Sequence, residues 1–289
     1  MKRTLFFILS IFLLATNGCS INKIAVGVMD DILQNGVTAM SEESDVQLAK
    51  DAFPGNLKLL EALIKSDPEN TDVLLMAAQG YGGYAIAFVE EEDPERASKL
   101  YLRGKKYALM ALQQKNKSIY QSLEKPLADF ENELMKAKKK DTPWLFWLAY
   151  NWISYINLNK TSVRAIGDLP KVLAIMERVI ELDPGYYYGG AHLSLGAYYG
   201  SLPKMMGGDP EIAKNHFQKA MELTDHKFLL TKVYFAQFYA RNVFDEELFD
   251  SLLNGVIEAP DDILPEQNLT NMIAKQRARR LLAQKEELF

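Results

Sequence analysis

The groups in this 289-residue chain that could do chemistry are three histidines, one cysteine and an unusual wealth of aromatic side chains. His192, His216 and His226 do not stand at i, i+4 with an intervening glutamate, the spacing by which one helix presents two imidazoles and a general base to zinc. No Gly-x-Ser-x-Gly elbow, P-loop or Gly-x-Gly-x-x-Gly fingerprint occurs. The glycine-bearing stretches "YGGY" (81–84) and "YYYGGAH" (186–192) lack the strand-then-helix setting that a phosphate loop needs. We therefore expect no enzyme, no metal and no cofactor. A net charge of -5 offers no basic surface for a phosphate backbone, which argues against nucleic acid as a partner.

The aromatic residues carry the remaining functional signal. Tyr81, Tyr84 and Phe88 fall on one helix face at i, i+3 and i+7, while Trp144, Trp147 and Trp152 crowd one segment. Tyr188 closes a tyrosine run just ahead of His192. An aromatic stripe at helical spacing is either core packing or the wall of a cavity, where glycines leave room and hydroxyls offer hydrogen bonds. A second candidate is the insert "SLPKMMGGD" (201–209). There Lys204 offers a charge, Met205 and Met206 an adaptable apolar surface, and Gly207 and Gly208 unusual backbone angles. It is either the mouth of a ligand site, a rim that meets a partner, or a tolerant loop. The runs Lys136–Lys140 and Lys275–Arg280 read as solvated helix faces, the second with a docking surface as its alternative.

Cys19 sits in a different setting. Lys2 and Arg3, then the apolar run Leu5–Leu14, have the form of an export signal, too short to span a bilayer as a mature helix. Residues 1–18 are expected to be removed as a signal peptide. A lone cysteine after an apolar run and a small residue resembles a lipoprotein processing site, although Thr16 stands where a leucine is usual. Lipidation of Cys19 is the expectation, and plain secretion its alternative. The remaining chain is acidic, so membrane contact would come from the lipid alone.

The elements that must position these groups are helices. No sustained period-2 alternation follows residue 20, whereas apolar stripes at helical spacing recur, as in Val172, Ile175, Met176, Val179 and Ile180. Pro54-Gly55, Asp67-Pro68, Asp93-Pro94, Asp183-Pro184 and Asp209-Pro210 read as helix ends, the Asp-Pro pairs as N-caps. The spacing predicts about eleven to thirteen helices. The pattern E-x-x-I-x-x-D-P occurs at 61–68 and again at 177–184, and Ala97, Tyr101, Gly104 match Ala213, Phe217, Ala220. Small residues at such positions let helices approach closely. The expectation is an all-α fold over 19–289, a cryptic tetratricopeptide-like stack of about four imperfect helix pairs with a closing C-terminal helix.

Three linked stretches, "YGGYAIAFVEEEDPERASKLYLRGKKYALMAL", the segment from Leu169 to Leu223 and "NMIAKQRARRLL", resemble the T components of tripartite ATP-independent periplasmic (TRAP) transporters. The resemblance implies a non-catalytic, lipid-anchored periplasmic protein that binds the solute-binding P component. It further implies a homotrimer with a pore or groove in each protomer. The aromatic content favours a hydrophobic or amphipathic organic acid as ligand. Ligand or partner contacts are expected at Tyr81, Tyr84, Phe88, Trp144, Trp147, Tyr188, His192, Lys204, Met205 and Met206. The alternative is an envelope-assembly scaffold lipoprotein with helical repeats and no ligand.

Overall fold

The computed structural model describes residues 31–289, and every regular element among them is helical. Residues 31–42 form α1, followed by α2 (Val46–Ser66), α3 (Thr71–Tyr84) and α4 (Pro94–Lys115). Short α5 (Lys117–Ser122) and α6 (Leu127–Leu134) lead into α7 (Thr142–Leu158) and α8 (Val163–Gly167). Then come α9 (Leu169–Leu182), α10 (Tyr186–Ser201) and α11 (Pro210–Leu223). The last are α12 (Leu230–Phe235), α13 (Glu246–Ile257), α14 (Asn268–Ala283) and α15 (Lys285–Leu288). Two π-helical segments, Ala85–Val89 and Ala236–Ala240, prolong α3 and α12. These fifteen α-helices outnumber the expectation because several are too short to leave a periodic pattern in sequence. Residues 1–18 and Cys19 lie outside the described residues.

The Asp-Pro pairs do two different jobs. Asp93 caps α4 by accepting from the Arg96 amide at 3.0 Å, and Asp209 caps α11 by accepting from Glu211 and Ile212 at 3.0 and 3.1 Å. Asp67 and Asp183 instead end α2 and α9: their amides donate to the carbonyls of Leu63 and Val179, each at 2.8 Å. The repeated E-x-x-I-x-x-D-P is thus a helix ending, and Asn70 supplies the cap of α3. Pro54 does not break α2, which runs through it. Pro54 lies on the exposed face, where water can serve the carbonyl that loses its intrahelical bond.

Successive helices pack in order: α3 on α4, α4 on α7, α7 on α9, α9 on α10, and α10 on α11. Small residues sit where these faces meet. Ala97, Ala213 and Ala220 are fully buried. At Gly104 an added Cβ would lie 2.2 Å from the side chain of Asn151, so only glycine admits that close approach. Asn151 in turn ties α7 to α3, donating to the Ala78 carbonyl at 3.1 Å. The segment Thr71–Val89 is long and apolar enough to cross a membrane by composition, but its apolar side chains are largely buried among these helices.

α14 then closes the chain. It packs on α12 and α13 and also on α2, near the other end of the described residues. Asn268 donates to the Glu42 carbonyl at 3.4 Å, Arg277 donates to the Ile86 carbonyl, and both Arg277 and Arg280 pair with Glu91. The basic run of α14 is therefore only half a solvated face. Lys275 and Arg277 are buried, Lys275 against the Ala259 carbonyl and Asp261, whereas Arg279 and Arg280 are exposed. A closing helix must bury its apolar face, here Ile273, Ala274 and Ala278, and the basic residues between those positions go in with it. The run Lys136–Lys140 stays solvated apart from Ala137.

Candidate functional site

Closure of the chain leaves a cavity of about 580 Å³ walled by α1, α2, α3, α7, α10, α12 and α14. Most of the wall is apolar: Leu33, Val37 and Met40 from α1, Leu57 and Leu60 from α2, and Leu269 and Ile273 from α14. Ile32, Val37 and Leu59 are wall residues that are also open to solvent, which puts the mouth beside α1 and α2. Gly83 on α3 faces this space, and a Cβ there would meet no atom within 4 Å.

One aromatic cluster forms the opposite wall. Phe146, Trp147 and Tyr150 lie along α7, and Tyr187 reaches them from α10, its ring 4.6 Å from Trp147 and 5.7 Å from Phe146. The start of α10 makes this reach possible. Tyr187, Tyr188 and Gly189 are three consecutive residues at positive φ (46°, 58° and 70°). Two tyrosines held there cost on the order of 1–2 kcal/mol each. The local turn sends the two tyrosine rings to different partners. Tyr187 enters the cavity, and Tyr188 stacks on Phe228 with centroids 5.0 Å apart. Tyr187 keeps 38% of its surface accessible, while burial among protein atoms pushes its phenol well up. Both follow from a side chain that is enclosed by protein yet faces an open cavity.

Among the described residues, the cavity wall has one charged group, at a polar end. Arg277 projects from α14, is 5% exposed, and approaches the Tyr234 hydroxyl at 3.4 Å. Burial opposes its charge, but Tyr234 and Glu91 beside it hold the guanidinium more firmly protonated than usual. Burial pushes Tyr234 up to about 12 and Tyr150 well above its ordinary value. Glu91 is lowered: burial works the other way, but Arg280 and Arg277 outweigh it.

Among the residues singled out in the sequence, Trp147 lines this cavity. Tyr84 and Phe88 stand one layer behind it, packed on Phe53, which does line it, at 5.6 and 5.9 Å. Tyr81 lies in the core, stacked on Tyr107, and both hydroxyls donate to Glu61, at 2.8 and 2.9 Å. Burial raises Glu61, but Lys58, Tyr81 and Tyr107 more than offset it and bring the carboxyl to about 2. Trp144 is buried under Lys115, whose ammonium stands 5.1 Å from the ring centre. His192 pairs with His216, Nδ1 to Nδ1 at 2.9 Å, away from the cavity wall. Burial, followed by His216 and Lys219, lowers His192 to about 4. Lys204, Met205 and Met206 form an exposed 3-10 turn, Met205 being 92% accessible, and do not border the cavity.

Tyr150, Tyr187, Tyr234 and Arg277 are the site residues that sequence reading did not single out one by one. The tyrosine run and the basic run Lys275–Arg280 gave some signal for Tyr187 and Arg277; Tyr150 and Tyr234 gave none, because the cavity forms only when α14 closes on the front of the chain.

The chain matches the model of the family described as TRAP transporter T-component over residues 42–289. It is also similar to an uncharacterized protein of Treponema pallidum (strain Nichols), 23% identical over 304 residues, covering 94% of this chain and 93% of that one. With nearly its whole described length matched, this chain belongs to the TRAP transporter T-component family.

Proposed function

We propose that this protein is a non-enzymatic periplasmic accessory of a TRAP transporter that docks the solute-binding protein and holds or passes a hydrophobic or amphipathic organic ligand. The observation that carries this reading is the cavity: an apolar, aromatic-walled space of about 580 Å³ with a mouth beside α1 and α2. Ligand sites are typically concave, largely apolar and equipped with a few polar groups that orient the guest. The order of packing, α3–α4, α7–α9, α10–α11 and α12–α13 with α14 closing, supports a tetratricopeptide-like reading of the helix pairs. Export, a lipid on Cys19 and assembly as a homotrimer belong to the same proposal. They rest on the sequence pattern of residues 1–19 and on the family.

The exposed Met205 and Met206 favour a protein contact, which the assembly-scaffold reading shares. A ligand separates the two. The test is to purify the chain and titrate it with an apolar fluorescent probe, and separately with the solute-binding protein of its transporter. Saturable binding of both is expected. In a Lys204→Ser, Met205→Ser, Met206→Ser variant, probe binding and melting temperature should hold, because the turn is exposed and off the cavity. Affinity for the protein partner should fall about tenfold. Partner binding with no probe binding would leave the scaffold; no partner binding would end the docking proposal.

A further inference from the structure

The cavity contains a contrast in hydrogen bonding. Ser194 and Thr270, both on the wall, donate to the Gly190 carbonyl and to Gln267. The hydroxyls of Tyr150 and Tyr187 have no hydrogen-bond partner among the described residues, although both side chains line the cavity. Arg277 uses one N–H toward Glu91, one toward Tyr234 and one toward the Ile86 carbonyl. A guanidinium has five N–H donors, so its fork keeps capacity in a side chain that is 95% withdrawn from solvent. Donor capacity left unused on an enclosed guanidinium, beside phenols that face the same cavity, is available to a guest.

The charges around this pole leave it cationic. Arg277 and Arg280 share one carboxylate, Glu91. The neighbouring Glu90 has its own donor in Tyr101, and burial raises its carboxyl, which favours the neutral form. Away from the pole, Leu57, Leu60, Leu269 and Ile273 offer no group that could hold a second charge.

Resting on the ligand-holding reading above, we infer that the cavity takes a single-headed anionic amphiphile, a monocarboxylate with an aliphatic tail. Its head lies against Arg277 with Tyr150 and Tyr234, and its tail runs toward the α1–α2 mouth. The guanidinium fork matches two carboxylate oxygens, and the phenols supply further donors to the same anion. A two-headed acid would bury its second charge against leucine, and a sugar would leave most of its hydroxyls unpaired on this wall.

Dodecanoate and dodecan-1-ol, equal in tail and different only in head, test the assignment with the full chain by calorimetric titration at neutral pH. Wild type should favour the acid about tenfold or more, as a charge-assisted pair in a dry site allows. In Arg277→Met the acid-to-alcohol ratio should collapse toward one. Because Arg277 also braces the closure, Tyr150→Phe with Tyr234→Phe serves as a second variant. It should cut the ratio about threefold with the Arg277–Glu91 pair intact. Equal affinity of wild type for acid and alcohol overturns the head-group assignment while leaving the cavity reading standing. So does a ratio that neither variant changes. Failure of both probes to bind wild type overturns the cavity reading, and this inference with it.

Discussion

Two aromatic clusters of similar composition have opposite hydrogen-bonding states. Around Glu61, Tyr81 and Tyr107 stack 5.8 Å apart and both donate to one carboxylate, with Arg103 and Lys58 alongside. Around Phe146, the rings of Trp147, Tyr150 and Tyr187 meet at 5.0 to 5.9 Å. There the hydroxyls of Tyr150 and Tyr187 find no partner among the described residues. The first cluster is a structural tie between α2, α3 and α4. The second is an unfinished surface whose polar groups face a cavity. A tyrosine's spacing cannot tell these cases apart; the destination of its hydroxyl can.

The largest expected effect comes from filling the space that only the second cluster faces. Gly83→Leu adds a side chain where a Cβ has no neighbour within 4 Å, so it should fold without a clash. Helix propensity should raise stability by up to about 1 kcal/mol. Probe binding, read by fluorescence titration, should drop at least about tenfold, or ~1.4 kcal/mol. Unaltered binding would mean that the probe sits elsewhere.

Removing one hydroxyl from each cluster sharpens the comparison. Tyr81→Phe takes a donor from Glu61 and should cost about 1 kcal/mol in chemical denaturation. Tyr150→Phe removes a hydroxyl with no partner among the described residues and should cost about 0 kcal/mol or stabilise slightly. Equal losses for the two variants would erase the distinction between the clusters.

A third comparison concerns the His192–His216 pair, which is desolvated like the cavity but paired like the Glu61 cluster. Burial, then His216 and Lys219, lowers His192 to about 4 from an ordinary 6.5. The folded state therefore holds it neutral in a range where the unfolded chain binds a proton. That stability is complete above pH 6.5 and declines as pH falls toward 4. Denaturation midpoints should drop between pH 7 and pH 5, and His192→Gln should flatten the slope. A slope that survives the substitution would assign the acid sensitivity to other groups.

Much of this protein was legible from local pattern. Helical periodicity gave an all-helical fold because apolar side chains at 3.6-residue spacing have one way to be buried together. The caps at Asp93 and Asp209 and the buried alanines at 213 and 220 followed from short-range stereochemistry and from the room that small side chains leave. The linked motifs gave the family. The sequence could not give the fate of the basic run in α14. Lys275 and Arg277 look like solvated residues until α14 folds back onto α2, which puts Arg277 within reach of Glu91, some 186 positions away in the chain, and of Tyr234. Nor could it say that Trp147 borders open space while Trp144, three residues earlier, lies outside the cavity wall under Lys115. Spacing fixes which side chains share a helix face, but a cavity is what several helices fail to fill together. That depends on closure of the whole stack, a property only the tertiary structure decides.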